Sequence, residues 1–195
     1  MTPVRTRTYP PPPLDRREVL RYARSGDGDE AALRLLSELV GEADSLFTYR
    51  VAYRTLPVVF DGATVTLGPV NAASSSLAAR LAGCREAILM AATVGHAIDR
   101  RLARYTRTSP ARALLLSALG SERCEALVET FLADLAAGGL TLTKRFSPGY
   151  GDLPLALQRD LLPLVEAERT LGITLSSGDL MSPTKSVTAI IGIQP

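Results

Sequence analysis

The run Ala87-Ile88-Leu89-Met90-Ala91-Ala92-Thr93-Val94 constrains the fold of this chain more than any other feature. It carries no charge, and neither face of an element built from it would be polar, so it has to lie inside the molecule. It is short, and Gly83 and Gly95 bracket it. Those flanks favour a buried strand over 85–94 that turns at Gly95 into a helix over 96–105. The next strongest signal is a helix over 110–137. Pro110 suits a first turn, and Gly138-Gly139 ends the pattern. Leu116, Cys124, Leu127, Phe131 and Leu135 make its apolar stripe, with Gly120 on the same face predicting close approach of another backbone.

The remaining segments are shorter. Residues 1–14 form a proline-rich arm in which Pro10 to Pro13 favour polyproline II and forbid a helix. A free tail is expected there, with a single domain over 15–195. Asp15 caps a short helix through Arg16, Glu18, Leu20 and Tyr22, and Gly26-Asp27-Gly28-Asp29 is a loop. A helix follows from Glu30 to Ala43. Strands are expected over 47–53, 58–60 and 64–67, the last two joined by the turn Asp61-Gly62. Then come a helix over 74–82, a strand over 140–146, two helical pieces up to Gly172 with Pro163 at a break or at a second helix start, and final strands over 173–175 and 186–193. The last strand is placed inside the sheet. Hairpins and helices mix without strict alternation, which predicts an α+β fold with a largely antiparallel central sheet flanked by helices.

Composition removes several functional classes. With 195 residues, 46% hydrophobic and 22% charged, the chain can bury a real core. A net charge of +2, six Tyr, four Phe and no Trp argue against a nucleic-acid groove. The cluster Arg100, Arg101, Arg104 and Arg107 reads as a solvated or partner-facing surface. Cys84 and Cys124 lack metal or redox spacing and read as small core residues. With no signal-peptide pattern and no long apolar span, a cytoplasmic location is expected. The single histidine, His96, cannot build a multi-histidine metal site and sits at a helix start, a structural position. No catalytic signature is found, and no independent catalytic residue is expected.

One segment does carry chemistry: Arg145-Phe146-Ser147-Pro148-Gly149-Tyr150-Gly151-Asp152-Leu153-Pro154. A strand delivers an arginine, whose fork can grip a carboxylate. A turn on Pro148 and Gly149 then presents Tyr150, and such turns let backbone amides approach a ligand. A tight structural loop between sheet and helix satisfies the same pattern.

Arg145-x-x-x-Gly149-Tyr150 resembles the S-adenosylmethionine-binding motif of the activation domain of cobalamin-dependent methionine synthase. The stretch from Gly83 to Gly95 resembles that family's central strand and turn. Ala118-Leu119-Gly120-Ser121 and Glu125 resemble its long helix. Leu171-Gly172-Ile173-Thr174-Leu175 and the run from Met181 to Gly192 resemble its closing strands. The resemblance is strongest over 45–193, in the same order. It implies an accessory protein that holds S-adenosylmethionine against a cobalamin carried by a partner. That partner is a separate methionine synthase core, whose oxidised Co(II) cobalamin is restored to methylcobalamin by reductive methylation. A flavodoxin- or ferredoxin-type electron donor is implied as well. Carried over by position, Arg145 binds the ligand carboxylate, Pro148 and Gly149 shape the turn and permit close approach, Tyr150 packs on the ligand, and Glu125 attracts its ammonium or sulfonium charge.

The chain also departs from that family. Gly151-Asp152-Leu153-Pro154 stands where fused enzymes have Pro-Ala-Cys-Pro, and Ala189, Ile190 and Ile191 stand where they have aromatic side chains. A non-catalytic interaction subunit that has lost the ligand, and an activator of another corrinoid methyltransferase, fit the sequence too.

Overall fold

The computed structural model describes residues 2–26 and 28–195. Met1, at the start of the expected arm, and Asp27, in the expected loop, lie outside the described residues. In chain order the elements are β1 (Arg5–Tyr9), α1 (Arg16–Tyr22), α2 (Glu30–Ala43), β2 (Tyr49–Asp61), β3 (Thr64–Leu67), β4 (Val70–Ala73), α3 (Ser75–Arg80), β5 (Glu86–Thr93), α4 (Ala97–Thr108), α5 (Pro110–Ala137), α6 (Gln158–Leu164), α7 (Ala167–Leu171), β6 (Thr174–Leu175), β7 (Met181–Ser182) and β8 (Ser186–Ile193). The fold is α+β. An antiparallel six-stranded sheet runs β4-β3-β2-β5-β8, with β1 also on β2, and β6-β7 form a separate hairpin.

The apolar run becomes β5, in the middle of that sheet and covered on both faces. Its alternate residues enter two cores. Ile88, Met90 and Ala92 join Val51, Tyr53, Ala189 and Ile191 beneath α5. Ala87, Leu89 and Ala91 join Leu56, Leu77, Leu161, Val165 and Ile190 on the face covered by α3, α6 and α7. The 28-residue α5 serves two layers. Its Cys124, Leu127, Val128 and Phe131 lie on the sheet, whereas Leu115, Leu116 and Leu119 pack in a third core with α1, α2 and α4.

The structure corrects several expectations. Strands expected over 47–53 and 58–60 are one 13-residue strand, β2. Pro57 does not break it: its carbonyl accepts from Gly68 N–H at 3.2 Å, so its missing N–H faces the same side. There β1 has ended and β3 has not yet begun its ladder. Four-residue β4 was not anticipated. Residues 140–146 form no continuous strand and meet β8 only at the isolated bridges Leu142↔Ile193 and Phe146↔Ile190. β8 is consequently the last strand of the sheet rather than an interior one, with its outer edge part-covered by that segment. Pro163 lies inside α6, in its final turn. A Cβ on Gly120 would meet the Lys185 side chain at 3.0 Å, so the close approach there is a lysine stem and not a backbone.

The arm is not a free tail. Arg5–Tyr9 pairs antiparallel with Tyr49–Tyr53. The prolines that follow have no N–H to offer, and they are held by their carbonyls: Arg123 donates to Pro12 O at 2.6 Å and to Pro13 O at 2.8 Å.

Candidate functional site

The site begins where the chain leaves the edge of β8. Ile190 exchanges both backbone hydrogen bonds with Phe146, at 2.8 and 2.9 Å. Those groups therefore point away from β5, and the two-residue alternation turns the N–H and C=O of Thr188 the same way. By then the chain has departed at Ser147 into the loop. The space left is a cleft of about 350 Å³ walled by Ser147, Pro148 and Tyr150 on one side and by Met181, Val187 and Thr188 on the other. Its size is within the range of small-molecule sites.

The loop is a built turn. Gly149 has φ of 90° and Gly151 of 56°, both in the left-handed region. Gly149 N–H donates to Leu153 O at 2.9 Å, Tyr150 N–H to Ser147 O at 3.2 Å, and Leu153 N–H to Tyr150 O at 3.0 Å. The amides of Gly149, Tyr150 and Leu153 are thus spent inside the turn. A Cβ at Gly151 would lie 2.8 Å from Ser76 Oγ, so this glycine is set by the loop's contact with α3. Pro148 is buried and Tyr150 is 68% exposed at the rim.

Asp152, which stands at a departure from the family pattern, explains the shape of the loop. Its carboxylate accepts from the Ser74 hydroxyl, from Ser75 N–H at 2.7 Å and from Ser76 N–H at 3.2 Å. Ser74 in turn accepts from Leu77 N–H at 3.0 Å, capping α3. The Ser74 hydroxyl, then the Ser76 hydroxyl and the Ser75 and Ser76 amides, hold the Asp152 carboxyl well below the usual carboxylate range. A depressed carboxyl contributes stability that is full above its unfolded pKa of about 3.9 and is lost as pH falls through the folded value. Asp152→Ala should therefore lower hydrogen-exchange protection of the Ser75 and Ser76 amides at pH 7. The wild-type chain should lose the same protection only on acidification below about pH 4. Equal protection in both proteins at pH 7 would rule out the anchoring role.

The two charged residues singled out in sequence meet on the α5 side of the loop. Arg145 Nη2 pairs with Glu125 Oε2, with side chains 27% and 39% exposed. They are not walls of the cleft. Arg145 lies two residues before the cleft-lining Ser147. The five predicted residues thus fall into two groups: an ion pair, Arg145–Glu125, and a cleft wall, Pro148 and Tyr150, joined by Gly149 as the turn.

Sequence reasoning assigned no role to Asp152, Thr188 or Gln158. Gln158 is a buried amide at the start of α6 that donates to Asp179 O at 3.3 Å and lines the cleft. Leu180, 65% exposed, stands on the cleft rim with Tyr150.

Other features lie apart from this chemistry. A larger groove of about 620 Å³, lined by Leu162, Pro163, Ala167, Ile173 and Leu175 and by the charged Arg159, Glu166, Glu168 and Arg169, contains none of these residues. The Arg159–Asp179 pair stands between it and the cleft. His96 Nε2–H donates to Gly172 O at 3.0 Å, tying α4 to the end of α7. Cys84 and Cys124 are buried and free, and burial pushes the Cys124 thiol up to about 12. Arg101 pairs with Glu42 at 3.5 Å, while Arg100, Arg104 and Arg107 are exposed on α4. Among the described residues no group of three or more His, Cys, Asp or Glu forms a metal cluster, and no helix is long and apolar enough to cross a membrane.

These features define a class: an α+β domain whose antiparallel sheet ends in an edge strand, with a glycine-built loop opening a cleft beside it. That is the fold of the MetH reactivation domain. The chain matches a crystal structure of that domain bound to AdoHcy with a TM-score of 0.69 over 99% of this chain and 79% of the other. Sequence identity is 14%, so the likeness is one of fold. No protein-family model matches the sequence, and no curated protein matches it.

Proposed function

We propose that this chain binds S-adenosylmethionine and reactivates a separate cobalamin-dependent methionine synthase in the cytoplasm. The observation that carries the reading is the Arg145–Glu125 pair beside the loop cleft, in a fold shared with a reactivation domain bound to AdoHcy. An α-amino acid end carries a carboxylate and an ammonium, and this pair supplies the opposite charge for each. Arg145 takes the carboxylate through its fork. Glu125 takes the ammonium. The outward N–H and C=O of Thr188 are an adjacent donor and acceptor, of the kind the edge of an adenine ring pairs with. Tyr150 offers an exposed ring face at the rim.

The ligand supplies a sulfonium methyl, and the partner's cobalamin receives it together with an electron from a flavodoxin- or ferredoxin-type donor. No base is required of this chain. Its work is positioning: it orients the ligand and presents the methyl at an open cleft mouth, where Tyr150 and Leu180 form an apolar rim for the cobalamin-binding module.

The test is reconstitution. Purified chain added to Co(II) methionine synthase core, with S-adenosylmethionine and a reductant, should restore turnover in proportion to the chain added. Failure to bind S-adenosylmethionine, both alone and with the cobalamin partner, would exclude the reading. Restoration of a different corrinoid methyltransferase alone would reassign the partner.

A further inference from the structure

The walls of the loop cleft suit an uncharged group. Asp179 is the one charged residue among those that line it, and its carboxylate is paired with Arg159. Pro148, Leu155, Leu180, Met181 and Val187 make apolar walls. Arg145 and Glu125, the partners for a carboxylate and an ammonium, are outside those walls. A ligand with a charged amino acid end and a neutral ring therefore has a place for each: the end at the ion pair, the ring in the cleft.

Two polar side chains are buried in the cleft wall, Gln158 at 4% exposure and Thr188 at 2%. Both ends of the Gln158 amide meet other cleft residues. Nε2 donates to Asp179 O at 3.3 Å, and Oε1 accepts from the Thr188 hydroxyl at 3.5 Å. The Asp179 carbonyl can only accept, so it fixes which end of the amide carries the hydrogens. Both contacts are long beside the usual range of about 2.7–3.0 Å. The Thr188 hydroxyl has a single hydrogen and a nearer acceptor, Met181 Sδ at 3.3 Å. A carboxamide carries two N–H donors and two acceptor lone pairs. Gln158 thus keeps one N–H with no partner among the described residues, beside an oxygen held by one contact at the limit of hydrogen bonding. Buried polar groups left in that state are costly, and a ligand that satisfies both is favoured.

A donor and an acceptor side by side on a carboxamide match one edge of adenine. The oxygen takes a hydrogen of the 6-amino group, and the N–H gives to N7. The opposite edge, carrying N1, suits the outward N–H and C=O of Thr188, and the 6-amino group has a hydrogen for each side. We infer that Gln158 reads the adenine of the ligand through its 6-amino group and N7, and is a specificity-determining residue of the cleft. The inference rests on the proposed binding of S-adenosylmethionine and deepens it: it assigns the nucleobase to the cleft and names the side chain that selects it.

The experiment is calorimetric titration of S-adenosylhomocysteine and its 7-deaza analogue, in which N7 is a C–H, into the full chain and its Gln158→Met variant. The analogue keeps the 6-amino group, N1, the ribose and the amino acid end, so the ratio of the two Kd values isolates the N7 contact. The wild-type chain should bind the analogue about 10-fold more weakly, because a buried N–H is left without an acceptor. Methionine keeps an unbranched side chain of similar length, and in Q158M the two compounds should bind within about two-fold of each other. Gln158→Asn, one methylene shorter, should lose the discrimination as well and serves where Q158M does not fold. A ratio that stays at its wild-type value in the variant, with both affinities reduced alike, would make Gln158 only a brace for Asp179 and overturns the inference. Equal affinity of the wild-type chain for both compounds overturns it too, leaves the proposed function standing, and needs no variant to fold. Binding of neither compound by the wild-type chain overturns the proposed function and this inference together.

Discussion

Replacing Arg145 by alanine should weaken S-adenosylhomocysteine binding by roughly 50-fold while leaving the fold intact. A charge-assisted hydrogen bond contributes about 1.5–3 kcal/mol, and a forked guanidinium–carboxylate contact is at the upper end of that range. Two to three kcal/mol corresponds to roughly 30- to 150-fold in affinity. The partner lost in the free protein is Glu125, 39% exposed, so the pair's own contribution to stability is discounted for solvent to less than about 1 kcal/mol. Binding and folding therefore separate in this variant: the affinity collapses and the melting temperature barely moves. Arg145→Lys keeps the charge but not the fork and should recover only part of the loss. An interaction subunit that has kept the fold and lost the ligand would show no such effect. Affinity within two-fold of wild type in R145A would remove Arg145 from the site, and unchanged reactivation of the methionine synthase core would remove it from the function.

What the sequence disclosed and what it hid divide along one physical line. Elements whose evidence is local were legible. The apolar run of β5, the Asp61-Gly62 turn and the Pro110-to-Gly138 frame of α5 each carry their signal within a few residues. Elements defined by a distant partner were not. Segment 140–146 has strand composition, yet it meets β8 only at Leu142 and Phe146, and side-chain pattern does not reveal how many backbone bonds an edge will make. Nothing near Arg5–Tyr9 indicates that the first half of β2 lacks a partner on that side.

The site divides in the same way. Arg145, Pro148, Gly149 and Tyr150 stand in one short segment and could be read together. Glu125 came only with the family resemblance, because Glu122 and Glu129 share its helix and pattern alone does not choose among them. The structure separates two of the three: Glu125 faces Arg145, whereas Glu122 is buried on the opposite business of holding the arm. Asp152 looked like a departure that put the loop in doubt. Its partners are Ser74, Ser75 and Ser76, more than seventy positions earlier, and with them it becomes the anchor of the loop.

Arg123→Met should be the most destabilising single change outside the apolar core. Arg123 and Glu122 are adjacent in sequence, and their side chains are 6% and 5% exposed. Arg123 Nε donates to Glu122 Oε2 at 2.5 Å, and its Nη groups hold the carbonyls of Pro12 and Pro13. Glu122 Oε1 accepts from Asp15 N–H at 3.0 Å, two residues after the last proline. Removing the guanidinium leaves a buried carboxylate without its counter-ion and two proline carbonyls without donors. Breaking a buried pair from one side costs about 3–5 kcal/mol, a large share of a total stability of about 5–15 kcal/mol. For a chain of this length the melting temperature should fall by on the order of 10 °C. Residues 2–13 should become sensitive to protease, since the arm then depends on the β1 ladder, on the bonds of Thr2 to Arg54 and Thr55, and on Asp134, which accepts from Arg7 and Tyr9. Replacing both residues at once, as Glu122→Leu with Arg123→Met, removes the isolated charge and should recover much of the loss, because apolar substitutes for a buried pair are often neutral. A melting temperature within about 2 °C of wild type in the single variant would mean that water reaches Glu122 and that the arm is held by its strand alone.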